Sequence, residues 1–238
     1  MKILALDTSN KTLAIALYDE TGIVAQKQLN IKTNHSLTLM PAIDELMKDV
    51  KWSPHDLTRI VCAYGPGSYT GIRIAVTTAK MLASTLNIEL VGISSLKAIA
   101  ANIPNFEGLL VPIFNARRQN VFAGGYKWEN GKLINVLGDC HQSIEVLIDS
   151  IKNDQAMVVG DVADFSDILN EHGILMNKTA AWNIPNGATL AELGANEEIV
   201  EDIHAFLPVY LKKVEAEEKW LEKQDEKFKE DTDYVEKI

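Results

Sequence analysis

The sequence predicts an α/β protein made of two related lobes. Short apolar runs alternate with segments of helical periodicity along most of the 238 residues. The opening meander, strands near 3–7, 12–18 and 23–31, is echoed by runs at 109–114 and 121–128 with a Glu129-Asn130-Gly131 turn. Each copy then runs on into further strands and helices, a period too long for a solenoid. Pro, Gly and Asn cluster at 101–108 between the copies. The expected organisation is a first lobe over 1–104, a second over 105–211, and a charged C-terminal helix and tail over 212–238. Trp220 and Leu221 are available to dock that tail back on the first lobe.

In the first copy, residues 3–7 end in the polar turn Asp7-Thr8-Ser9-Asn10-Lys11. Those side chains either satisfy the turn's own amides or face a cleft as a phosphate or metal-water site. A helix follows from Asn34-His35-Ser36 to about Val50, with Leu39, Ile43, Leu46 and Val50 on one stripe, Met40 and Met47 beside it, and Pro41 near the first turn where it is tolerated. Ile60–Ala63 is a buried strand. Tyr64-Gly65-Pro66-Gly67-Ser68-Tyr69-Thr70-Gly71-Ile72-Arg73 then reads as a glycine loop launching a helix over 70–86. Ile72, Ala75, Val76, Ala79, Leu82, Ala83 and Leu86 form its buried stripe. Ile74, Thr77, Thr78 and Met81 recur on a second, weakly apolar side, which is either scattered surface or a partner face. A strand at 90–93 and a Ser-capped helix at 94–100 close the first copy.

In the second copy, Asn115 holds the place of Asp7. A strand at 156–160 enters a glycine turn, a helix pattern follows at about 166–172, another at 188–197, and residues 204–211 read as an extended segment reaching toward the core.

Composition narrows the function. The formal net charge of −10 argues against a broad basic face gripping phosphate backbones, so any nucleic acid would be held mainly by another subunit. No apolar run approaches the roughly 18 residues of a membrane span, and 1–7 does not read as a signal peptide. Cys62 and Cys140 read as two reduced thiols of a cytoplasmic protein. No two of the five histidines are spaced for a helical metal pair, and there is no CxxC or GxSxG. The Gly65–Ser68 loop lacks the lysine of a P-loop. It offers either a purely structural turn or an anion cradle at a helix N-terminus, with Asp7, Thr8, Ser9, Gly65, Gly67 and Ser68 as its contacts. On these residues alone, a binding subunit and an enzyme stay equally open.

The turn Asp7-Thr8-Ser9, His35-Ser36 with Pro41, the stretch Gly65–Arg73, the run Val91-Gly92-Ile93-Ser94-Ser95-Leu96, Asn115-Ala116-Arg117-Arg118 and Pro208-Val209-Tyr210-Leu211 come in an order that resembles the TsaB (YeaZ) family. The resemblance spans nearly the whole chain. It implies two RNase H-like lobes of the actin-like ATPase (Hsp70, sugar kinase) superfamily. It implies a role in making N6-threonylcarbamoyladenosine (t6A) at position 37 of tRNAs that read codons beginning with A, beside the catalytic subunit TsaD and the ATPase TsaE. TsaD carries a Val-Gly-Val-Asn-His-Leu-Glu-Gly-His run whose histidines bind the catalytic metal. Here Ser95 and Ile99 stand in the histidine places, and neither can replace an imidazole ligand.

The resemblance therefore implies a non-catalytic subunit with no metal and no tightly bound cofactor, ATP/ADP and metal being held by partner subunits. Leu39, Met40, Ile43, Met47, Ile74, Thr77, Thr78 and Met81 are the candidate surface for TsaD, and for a homodimer when TsaD is absent. tRNA is expected to meet the chain only through the complex. Family members commonly have Asp where this chain has Asn115, which weakens any Mg²⁺ site between the lobes. A stand-alone ATPase or kinase using Asp7 and the glycine loop, and a peptidase acting on TsaD, are the alternatives.

Overall fold

A computed structural model describes residues 1–31 and 34–212. The first copy forms a five-stranded sheet. β1 (Ile3–Asp7), β2 (Leu13–Asp19) and β3 (Gly22–Leu29) make the antiparallel meander. β4 (Arg59–Ala63) and β5 (Glu89–Ile93) join parallel to β1, giving the order β3-β2-β1-β4-β5. Parallel neighbours need a crossover, and α2 (Tyr69–Leu86) supplies it between β4 and β5. α1 (His35–Asp49) precedes β4, and α3 (Ser95–Ala100) follows β5. α1 and α2 cover one face of the sheet. Leu39, Ile43, Leu46, Ala75, Val76 and Ala79 pack there with Leu4, Leu6, Ile15 and Ile60. β1 is buried along its whole length, as a strand covered on both faces must be.

The second copy repeats the topology. β6 (Leu109–Arg117), β7 (Asn120–Glu129) and β8 (Lys132–Ser143) form its meander, and β9 (Ala156–Gly160) and β10 (Leu175–Met176) add in parallel. Read from β8, its order β8-β7-β6-β9-β10 matches the first sheet strand for strand. This is the two-lobed α/β arrangement that the internal repeat predicts. α4 (Ile144–Ile151) and α5 (Ser166–Glu171) pack against it through Leu147, Ile148 and Leu169. β8, α4 and the short β10 have no counterpart in the sequence reading.

The chain does not stay with the second sheet as far as the 105–211 boundary implies. α6 (Gly187–Asn196) returns to the uncovered face of the first sheet, where Leu190 and Ala191 are buried against Ile3, Ala5, Ala16, Val61 and Val91. Gly187 and Gly194 permit the approach, since a Cβ at either would lie under 3 Å from Ile15 or Val61. The physical reason is that the first sheet has two apolar faces and its own helices cover one.

Beyond α6 the chain straps across the same lobe. Val200 N–H donates to Leu90 O at 2.8 Å, and Val209 N–H to Tyr64 O at 3.0 Å. Lys80 Nζ donates to the carbonyls of His204 and Phe206, and the Phe206 ring meets Tyr64 edge-on. The segment expected to be extended at 204–211 therefore reaches the first-lobe core in irregular form. Apart from Lys212, the expected C-terminal helix and tail lie outside the described residues.

Leu190→Ala is expected to destabilise the chain by about 2–5 kcal/mol, the usual cost of truncating a fully buried leucine. Urea denaturation measures this. A loss under about 1 kcal/mol would show that α6 does not anchor the first sheet.

Candidate functional site

The glycine loop and the Asp7–Ser9 turn meet at the carboxyl ends of β1 and β4. The Gly65–Pro66 peptide is cis. A Cβ at Gly67 would lie 2.2 Å from Ser9 O, and one at Gly71 would lie 2.0 Å from Thr8 O. The backbones therefore touch directly, and only glycine fits at these two positions. Ser68 N–H donates to Ser9 O, and the Thr8 hydroxyl donates to Gly71 O at 2.8 Å. Ser68 caps α2 by accepting from Gly71 N–H, and Gly65 N–H donates to Ser95 Oγ at 3.1 Å.

Gly65 is taken up by the loop's own bonds, whereas Gly67 and Ser68 face the cleft between the lobes. The loop turns Gly67 and Gly71 and the amides of Gly65 and Ser68 onto its own chain. Thr8 and Ser9 are fully buried beneath it.

Asp7 is 1% exposed. Its Oδ1 accepts from Ser9 N–H at 2.7 Å, so the carboxylate does satisfy its own turn. Its Oδ2, the Ser9 hydroxyl and His35 Nδ1 are buried without a protein partner, while His35 Nε2 lies 2.9 Å from Asn10 O. Burial pushes the Asp7 carboxyl above its ordinary range, against the opposing pull of the Ser9 N–H bond and the His35 charge.

Ser95 and Ile99, the positions that the resemblance sets against histidines, are both fully buried. Ser95 pins the glycine loop from below, and Ile99 packs between the lobes with Leu96, Leu110 and Tyr126. No group of three or more His, Cys, Asp or Glu side chains could hold a metal ion among the described residues.

In front of the loop lies a cleft of about 940 Å³, lined from both lobes by Ser9, His35, Tyr69, Arg117, Tyr210 and Lys212 among others. Its second-lobe wall is the β6–β7 turn. Arg117, Arg118 and Gln119 all have left-handed backbone there, with φ of 69°, 52° and 58°. Three consecutive non-glycine residues in this region store strain, about 1–3 kcal/mol each, so the turn must be held. Asn115 Oδ1 accepts from Arg117 N–H, Asn120 Nδ2 donates to Arg118 O, and Asp161 accepts from Asn115 N–H. Asn115 Nδ2 also donates to Asp164 Oδ2 at 2.7 Å. A carboxylate at 115 could not make that bond and would face Asp164 as a like charge. Asn115 is thus used on both its amide atoms by the turn and by Asp164.

The candidate partner surface divides. Leu39, Ile43 and Met47 are buried in the first-lobe core and are removed from it, because their stripe is the one α1 turns to the sheet. Met40 is 47% exposed and Met81 65%, Thr77 is exposed, and Ile74 and Thr78 are half-buried. The sequence reading missed Leu37, one turn before Met40 and 72% exposed. Its i,i+3 spacing from Met40 was the available signal.

Asp7→Asn tests the electrostatics of the turn. Because the folded-state pKa of Asp7 is raised, its contribution to stability is fully present below its unfolded value. That contribution is lost as pH rises through the folded value. The variant keeps the Oδ1 acceptor but not the titration. Its stability relative to the parent should therefore be lowest near pH 3–4 and rise toward neutrality. Thermal unfolding across pH measures the difference, and a constant or falling difference would contradict the assignment.

Comparison with known proteins agrees with this architecture. A family model described as TsaD, tRNA N6-adenosine threonylcarbamoyltransferase, matches residues 22–220. The tRNA threonylcarbamoyladenosine biosynthesis protein TsaB of Bacillus subtilis is 42% identical over 231 residues, covering 94% of this chain and 100% of the relative. TsaB of Escherichia coli is 28% identical over 134 residues, 55% of this chain and 58% of the relative. The structure of YeaZ from Pseudomonas aeruginosa superposes with a TM-score of 0.73 at 21% identity, covering 88% of this chain and 100% of that one, which supports the fold. The chain belongs to the family that the threonylcarbamoyltransferase model describes and, within it, to the TsaB proteins of tRNA threonylcarbamoyladenosine biosynthesis.

Proposed function

We propose that this chain is a non-catalytic subunit in threonylcarbamoylation of adenosine 37 in tRNAs that read codons beginning with A. It works in the cytoplasm with a TsaD homologue that performs the transfer and a TsaE homologue that hydrolyses ATP. The observation that carries the reading is the burial of Ser95 and Ile99 at the places of the TsaD metal ligands. A hydroxyl bonded to a loop amide and a core isoleucine leave no ligand pair for a metal-assisted step. ATP or ADP and the metal belong to the partner subunits in this reading.

The docking face is the exposed side of α1 and α2, centred on Met40 and Met81 with Leu37, Ile74, Thr77 and Thr78 around them. Exposed methionines offer a deformable apolar contact suited to a partner helix. The same face closes a homodimer when the TsaD homologue is absent.

Reconstituted tRNA modification with and without the chain tests the role. Omission is expected to abolish t6A formation, and unchanged formation would refute it. Met81→Glu and Met40→Glu are each expected to weaken binding to the TsaD homologue by about tenfold or more, the cost of burying a charge at a central contact. Calorimetry of the pair and sedimentation of the chain alone read these outcomes. Normal binding with an intact dimer would place the interface elsewhere.

A further inference from the structure

We propose that the mouth of the interlobe cleft binds single-stranded RNA and grips an unpaired stretch of the tRNA on which the complex acts. The proposal rests on the reading of this chain as a t6A subunit, and it departs from the expectation, drawn from net charge, that tRNA meets the chain only indirectly.

The charge of the cleft is opposite to that of the molecule. Over a chain of net charge −10, the cleft walls carry Lys11, Arg117 and Lys212 against one carboxylate, Asp161, which is bonded to Asn115 N–H. Arg118 stands beside Arg117 at the tip of the turn. Among the described residues, Lys11, Arg117, Arg118 and Lys212 make no ion pair. A cationic rim that the described residues leave without ion pairs suits an anion brought from outside.

Aromatic rings stand at the same mouth. Tyr69 and Tyr210 lie with ring centroids 5.0 Å apart and planes tilted by 33°, and they are 47% and 46% exposed. The Arg73 guanidinium sits 5.3 Å from the Tyr69 centroid and donates to its hydroxyl at 2.7 Å. This is a fixed platform with open ring surface, and unpaired bases stack on such platforms whatever their identity. The left-handed turn at Arg117–Gln119, held by Asn115 and Asn120, fixes the opposite wall.

The arrangement selects among anions. A free nucleotide needs one compact phosphate seat, and at the inner end of the cleft the Ser68 N–H is already given to Ser9 O. The cations instead come from three separate segments of the lining, Lys11, Arg117 and Lys212, which suits a strand carrying several phosphates. A duplex keeps its bases stacked away from side-chain rings, whereas a loop or end can splay them out.

The test uses the full chain assembled with its TsaD and TsaE homologues, and an unmodified tRNA transcript carrying 4-thiouridine in its loops. Irradiation should crosslink the transcript to peptides holding Tyr69 or Tyr210. The double variant Arg117→Glu/Arg118→Glu should raise the KM for tRNA by about tenfold and flatten its salt dependence, while the complex still elutes intact. Tyr210→Ala should raise the KM severalfold without altering that salt dependence.

Three results would overturn the proposal: an unchanged KM with both variants, loss of assembly in the arginine variant, which would make the rim a protein contact, or displacement of the crosslink by millimolar AMP or ATP. Full modification without this chain would refute the subunit reading instead. In that case crosslinking of the transcript to the isolated chain, lost or retained in the arginine variant, still decides the RNA site.

Discussion

The backbone contact between Gly67, Gly71 and the Asp7–Ser9 turn is the constraint on which the rest of the structure depends. Two carbonyls from the end of β1 press on two glycines from the start of α2 at distances no side chain allows. That contact fixes where α2 begins, and the Ser68 cap and Ser95 fix its entry from below. Once α2 is placed, its Ala75, Val76, Ala79 and Ala83 stripe must lie on the first sheet. Met81 is then left pointing away from it. The same contact closes the inner end of the interlobe cleft, where Ser9, Gly67, Ser68 and Gly71 form its lining.

The closure has an electrostatic consequence. Asp7 is held under the loop with one oxygen bonded and the other without a protein partner, and burial disfavours its charged form. In an open cradle a carboxylate at this position would face solvent or a hydrated ion. Here it serves its own turn, against which the glycine loop packs.

Much of the fold was legible because its signals are local. The strand–glycine loop–helix stretch announces itself by residue type, and the repeated meander reveals two sheets of one topology. β8 escaped notice because it is an edge strand with one buried residue and no clean alternation. α4 spans only two turns, too few for periodicity to register. The placement of α6 is a tertiary fact. Its apolar stripe says that it packs, and nothing in the stripe says that its partner sheet lies in the other half of the chain. The candidate site was legible as a set of residues but not in its sense. Helical spacing puts Leu39, Ile43 and Met47 on the inward side of α1, yet spacing alone does not say which side a sheet will occupy. The cleft itself joins Lys11 to Arg117 and Lys212 across more than a hundred residues, a juxtaposition no local pattern encodes.

The lobes are joined in a way that suits a presenting surface better than a moving hinge. α3 packs into an apolar interface in which Leu96, Ile99 and Ala100 meet Leu110, Phe114 and Tyr126. Beside it the Ser94 hydroxyl and the Tyr126 hydroxyl both donate to Asp139, tying the end of β5 to β8. α6 belongs by sequence to the second half and by packing to the first sheet, and the strap at 200–209 runs on over the same lobe. Opening the cleft would expose the α3 interface and break the Asp139 bonds together. The relation between the glycine loop, the arginine turn and the tyrosine pair is therefore set by the folded core, and a partner or an RNA strand would meet a preformed shape.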